Sequence, residues 1–209
     1  MREVGTMTTR ADRRLPGIIM LTMCVSLFGT THTLTGQEEE APYPMMNRML
    51  DLGAHVGPVI ESSGPVFTVE EPDLAIPAGY VFKAVFEVTD GSASPESLNA
   101  AIDNASRFLN MHVEAGVPLE DVQVGVVIHG AATTAVLDND AYRERFGVDN
   151  PNLLLFDALS DAGVRLYVCA QAANAFQVPR EQIASQVDVA LSAMTALVML
   201  EAEGYQRVF

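Results

Sequence analysis

Gly163-Val164-Arg165-Leu166-Tyr167-Val168-Cys169-Ala170-Gln171 reads as a short strand that ends in a thiol. Leu166 and Val168 alternate with Arg165 and Tyr167, the period of a strand with two unlike faces. Gly163 stops the helix before it. Past Cys169 the small residues Ala170 to Asn174 begin a helical turn. A thiol at a strand tip facing the start of a helix is where reactive cysteines sit, because helix N-terminal N–H groups stabilise the thiolate. The competing reading is a buried structural cysteine, since free Cys is among the most buried residue types.

Working outward, the flanking segments repeat the pattern. Val81 to Val88 is apolar at Val81, Ala84, Phe86 and Val88 and predicts a strand, closed by the turn Thr89-Asp90-Gly91. Ser94 as N-cap and Pro95 at the first helical position predict a helix. Leu98, Ala101, Ile102, Ala105, Leu109 and His112 form its apolar stripe, and Gly116 ends it. Val122 to Ile128 is almost continuously apolar, as in a parallel strand buried on both faces. Ala131 to Leu137 and Ala141 to Phe146 read as short helical pieces. Asn150 and Pro151 open a helix over Leu153 to Leu159. After Cys169, Val187 to Leu191 predicts a strand, and Ser192 to Glu203 a helix that is apolar almost all round. Such a helix is buried on every side or forms a subunit interface. Arg207-Val208-Phe209 adds an edge strand.

The order β-α-β-(α)-α-β-β-α predicts an α/β fold, a three-layer sandwich with a mostly parallel central sheet and helices on both faces. Right-handed crossovers bring the strand C-termini to one edge, where ligands of such sheets bind.

The N-terminal part reads differently. Arg10, Arg13 and Arg14 precede an apolar run from Leu15 to Phe28, followed by small and polar residues up to Gln37. Residues 1–37 therefore read as a signal peptide cleaved between Thr30 and Gln37, which places the mature protein in the periplasm. Met23 stands before Cys24 where lipidation wants a small residue, which argues against a lipid anchor; an uncleaved anchor is the alternative. Residues 38–79 carry Pro42, Pro44, Pro58, Pro65, Pro72 and Pro77 and read as a lead-in arm, a tether with some docking. The domain proper is assigned to residues 80–209.

The whole chain carries a net charge of −15, and without residues 1–37 it holds 8 basic against 25 acidic residues, with Lys83 the only lysine. That balance argues against nucleic acid and against an anionic membrane surface as partners. Loss of the leader leaves Cys169 as the one cysteine, so no intramolecular disulfide forms in an oxidising compartment. Such a thiol is buried, paired between chains or used.

Three polar residues close three successive strands: Asp90, His129 and Cys169. In a parallel sheet they share the carboxyl edge, and a histidine beside a cysteine is a workable source of thiolate. Asp90, followed by Gly91, reads equally as turn chemistry, and His129 as a strand-end histidine bonded to backbone. Gly130, Gln171 and Asn174 complete the candidate pocket. There is no Gly-rich phosphate loop, no Gly-x-Ser-x-Gly and no His-Glu-x-x-His, and the histidines lack zinc spacing. No cofactor and no metal are expected. His112 falls on an apolar stripe and reads as packed. Without Cys-x-x-Cys, dithiol chemistry is excluded, whereas a single cysteine can still accept sulfur as a persulfide.

Three segments carry a resemblance: Val127-Ile128-His129-Gly130; Gly163 to Cys169 with Ala172-Ala173; and Val189 to Leu197 with Glu203-Gly204-Tyr205. In their order and spacing the chain, from about Tyr80 to Phe209, resembles the DsrE/DsrF-like family of sulfur-relay proteins. The resemblance implies a compact three-layer α/β domain that assembles into trimers or hexamers. It also implies a strand-end cysteine carrying sulfane sulfur between a donor and an acceptor protein, a role that maps onto Cys169. Relay members work in the cytoplasm, whereas this chain reads as exported. Two functions follow: an exported sulfur carrier, or a non-catalytic oligomeric module that binds a small ligand or a partner and keeps Cys169 inert.

Overall fold

The computed structural model describes residues 44–208. The signal peptide read over residues 1–37 lies outside them. No helix among the described residues is long and apolar enough to cross a membrane.

The sheet has five strands: β1 (Phe82–Val88), β2 (Val122–Ile128), β3 (Arg165–Cys169), β4 (Asp188–Ala190) and β5 (Gln206–Val208). Their order is β4-β3-β2-β1-β5, and every pairing is parallel. The helices are α1 (Pro44–Asp51), α2 (Ala100–Glu114), α3 (Asn139–Phe146), α4 (Leu153–Asp161), α5 (Ala170–Ala175) and α6 (Ala193–Ala202).

Alternation along the strands divides the core in two. Ala84, Phe86, Val88, Val124, Val126, Ile128, Leu166 and Val168 face one side, where they pack against Ile102, Ala105 and Leu109 of α2 and Leu155, Phe156 and Leu159 of α4. Val85, Val127 and Cys169 face the other, against Ala193, Ala196, Leu197 and Leu200 of α6. The second layer is thin, one helix over a five-stranded sheet. The sandwich expected from the sequence is present, and its sheet is wholly parallel.

Local signals placed several boundaries differently. The helix expected to open at Ser94-Pro95 begins at Ala100, capped by Asn99, whose side chain accepts from the N–H groups of Ala101 and Ile102. Asn99 outcompetes Ser94 because it is held twice: its N–H donates to Asn152 Oδ1 at 2.8 Å, and its Nδ2 donates to Asp90 O at 2.8 Å. Ser94 instead closes a turn, Ser97 N–H to Ser94 O at 3.0 Å. Asn150, read as the cap of α4, sits two residues before the observed cap position, Asn152, and ties Ala135 O and Leu137 O through its amide. Gly130 to Val136 forms a 3-10 helix.

The lead-in docks on α2. Ile60 is fully buried in the larger core, and Ala54 and Val66 are buried as well. Asn110 organises the contact: its Oδ1 accepts from Val59 N–H at 3.1 Å and Ile60 N–H at 2.8 Å, and its Nδ2 faces the carbonyls of Ile60, Ser63 and Gly64 at 3.0, 3.1 and 3.0 Å. A carboxamide offers donor and acceptor together, which a strand-less segment needs to satisfy its own backbone.

Helix α6 is not buried on every side. Leu191, Met194, Val198 and Met199 are exposed, Met194 by 75%. Apolar residues all round one helix here serve one face inward and leave one outward without cover.

Candidate functional site

β2 and β3 pair from Gly125↔Arg165 to Ile128↔Val168. One residue past that last pair stand His129, just beyond the end of β2, and Cys169, the last residue of β3. His129 keeps an extended backbone, φ −156 and ψ −172. Residues two apart along a strand share a face, so His129 follows Val127, and Cys169 follows Tyr167, on the α6 side. Topology thus puts at the carboxyl ends of adjacent strands a histidine and a cysteine that lie far apart in the chain.

Cys169 is a free cysteine at the start of α5, and its Sγ accepts the N–H of Ala172 at 3.4 Å. Its residue is only 6% exposed, packed in the α6-side cluster with Tyr167, Ala172 and Ala190 at the margin. His129 is more open, its side chain 26% exposed, and Nε2 lies 3.0 Å from Glu87 Oε1. Glu87 Oε2 accepts from Arg207 Nη1 at 2.8 Å, and Arg207 Nη2 donates to Glu201 Oε1 at 2.9 Å. A chain of polar contacts therefore runs from α6 through β5 and β1 to His129, just past the end of β2. Arg165 pairs with Glu203 at 2.8 Å and stacks on the Tyr205 ring at 4.7 Å. It is committed to that pair.

The remaining expected residues divide. Gly130 has φ +59, and a Cβ there would stand 3.0 Å from Thr89 O, so glycine lets the chain turn sharply behind His129. Gln171 is exposed and donates to Leu191 O at 3.3 Å; Asn174 is exposed and donates to Ala170 O at 2.9 Å. Both brace the segment after Cys169. Asp90 follows β1 at the same sheet edge, but it borders a cavity of about 550 Å³ on the α2 side, together with Met45, Met46, Leu98 and Arg107. Neither Cys169 nor His129 lines that cavity. His112 is sandwiched between Phe82 and Phe108, with Nδ1 2.7 Å from Phe108 O. Burial pushes its pKa down. Among the described residues no group of three or more His, Cys, Asp and Glu is placed to hold a metal ion.

Sequence reading passed over Glu87 and Arg207. One signal was available. Glu87 interrupts the apolar strand Phe82–Val88 on the same face as Val85, and a carboxylate inside a central strand demands partners.

The class defined by the described residues is a parallel α/β sandwich that carries one described cysteine, Cys169, at the tip of a central strand. Within it the chain belongs to the DsrE/DsrF-like family, whose model matches residues 83–209. Solved structures similar to it include a protein of unknown function, MTH1491, from Methanobacterium thermoautotrophicum. That protein is 20% identical, with TM-score 0.45, over 61% of this chain and 97% of its own. The ychN protein from E. coli is 14% identical, with TM-score 0.42, over 62% of this chain and 98% of its own. Comparison with curated proteins returned no match.

Proposed function

We propose that this protein is an exported sulfur carrier that accepts sulfane sulfur as a persulfide on Cys169. The observation that carries the reading is the placement, in a DsrE/DsrF-like domain, of its one described cysteine at the sheet's carboxyl edge, on the strand adjacent to the one that leads into His129. With a persulfide donor the step is a displacement: the Cys169 thiolate attacks the terminal sulfur of R–S–SH, the donor S–S bond breaks, R–S⁻ leaves, and Cys169–S–SH forms. Electrons balance without an external oxidant. Return of the sulfur to an acceptor thiolate reverses the same exchange. Export rests on the pattern of Arg10, Arg13, Arg14 and the apolar run to Phe28. Assembly into a homo-oligomer is supported by the uncovered apolar side of α6.

Incubation with thiosulfate or polysulfide, followed by intact-mass measurement, tests the reading. The expected result is a gain of one sulfur atom, lost on reduction and absent in Cys169→Ser. No gain on a folded protein whose thiol reacts after unfolding ends it.

A second reading is favoured by one observation, the 6% exposure of Cys169. In it the protein is a non-catalytic oligomeric binding module and the thiol is inert. Its signature is alkylation that requires denaturant.

A further inference from the structure

Glu87 stands on β1, flanked by β2 on one side and β5 on the other. Its carboxylate is divided between two partners from the two neighbouring strands: Oε1 faces His129 Nε2 at 3.0 Å, and Oε2 takes Arg207 Nη1 at 2.8 Å. A carboxylate oxygen only accepts. Nε2 therefore carries the hydrogen, and in the neutral ring Nδ1 is left as the bare lone pair. Nδ1 has no hydrogen-bond partner among the described residues. His129 and Cys169 each stand one residue past the pair Ile128↔Val168, at the carboxyl ends of the adjacent strands β2 and β3.

We propose that Glu87 is a positioning residue. It fixes the His129 tautomer so that Nδ1 serves as the base for the Cys169 thiol, and Arg207 holds Glu87 in place from β5. The inference rests on the sulfur-carrier reading, since it concerns how that thiol is activated. The Sγ–H proton passes to Nδ1, and the electron pair stays on sulfur as the thiolate that forms the new S–S bond. The ring becomes imidazolium, and its Nε2–H bond to the Glu87 carboxylate then joins two ionised groups. When the donor's thiolate leaves, the same proton is available to it. Orientation of a base by a third group is the general logic of activated nucleophiles. The other charged groups on this face are engaged elsewhere: Arg165 with Glu203, Lys83 with Glu203 O, and Glu201 with Arg207.

The test uses the full chain carrying ¹⁵N-histidine. In wild type the His129 nitrogen shifts should report protonated Nε2 and bare Nδ1. Glu87→Gln, whose amide both donates and accepts, should yield a tautomer mixture. It should also slow alkylation of native Cys169 on the order of tenfold, as His129→Gln does, with no further loss in the double variant. Arg207→Gln, at the sheet edge, is the second variant and should give a smaller loss in the same direction. Unchanged tautomer and unchanged alkylation in folded Glu87→Gln overturn the positioning role, while wild-type sulfur loading still stands. A folded wild type whose Cys169 takes neither sulfur nor alkylating reagent overturns both.

Discussion

Asp103 Oδ1 accepts the main-chain N–H of Gly64 at 2.7 Å, so a buried carboxyl on α2 clasps the docked lead-in. Ser63 reinforces the contact through Ser106 at 3.1 Å. The polar residues of the amphipathic α2 thus do more than face water. They hold residues 59–64, a stretch that belongs to no helix or strand.

Gly64 makes that clasp by near contact. Its φ is +65, and a Cβ would lie 2.5 Å from the Arg107 nitrogen and 2.6 Å from Ser106 backbone. Gly64→Ala is expected to lift the lead-in and lower stability by about 2 kcal/mol or more, from clash and left-handed strain together. Urea unfolding, with limited proteolysis of residues 54–68, reads both effects.

Asp103 also sets a pH dependence. Burial raises its pKa, against the opposing pull of the Gly64 N–H, Ser63 and Arg107. The folded state therefore holds this proton more tightly than the unfolded chain does. Stability from this group is lost as pH rises from about 4, the unfolded value, through the higher folded one. Asp103→Asn keeps an acceptor for Gly64 and removes the titration. Relative to that variant, wild type should lose stability on going up through this window, as chemical denaturation at a series of pH values would show. An identical pH profile for the two proteins would refute the assignment.

His112 acts in the opposite sense. Its pKa is lowered by burial between Phe82 and Phe108, only partly offset by the bond to Phe108 O. The folded state binds this proton more weakly. Stability is fully present above about 6.5 and is lost as pH falls from there through the folded value. His112→Phe, which keeps the ring stack, should flatten that acid limb of the Tm profile.

Met194, Val198 and Leu191 form an uncovered stripe on and before α6, with no charged residue between Ala193 and Leu200. Burying such side chains is worth roughly 1.5–3 kcal/mol each before association costs. Met194→Asp with Val198→Glu is expected to turn an oligomer into single chains in light scattering while the unfolding midpoint stays close to wild type. Single chains already in wild type would remove the oligomer proposal.

How far the site was legible can be judged residue by residue. Cys169 and His129 were visible as strand-end residues, because alternation locates strand ends and the β-α-β order implies a shared edge. Glu87 and Arg207 were not, because their meaning depends on β5 lying beside β1 rather than beside β4. Asp90 was placed at the correct edge, but strand ends alone do not say which face a loop residue serves, and the cavity it borders belongs to the α2 side.

The sequence by itself determined the α/β sandwich with a mostly parallel sheet, the boundaries at Gly116, Gly147 and Gly163, and a cysteine at a strand tip. These follow from periodicities and dihedral limits that act within a few residues. Tertiary structure alone decided that Asn99 rather than Ser94 caps α2, that Asn110 binds the lead-in, that Cys169 is nearly covered, and that Glu87 joins Arg207 to His129. Each of these depends on segments distant in the chain, the hydrogen-bond partners lying 42 to 120 residues away, and local sequence carries no record of which distant segments meet.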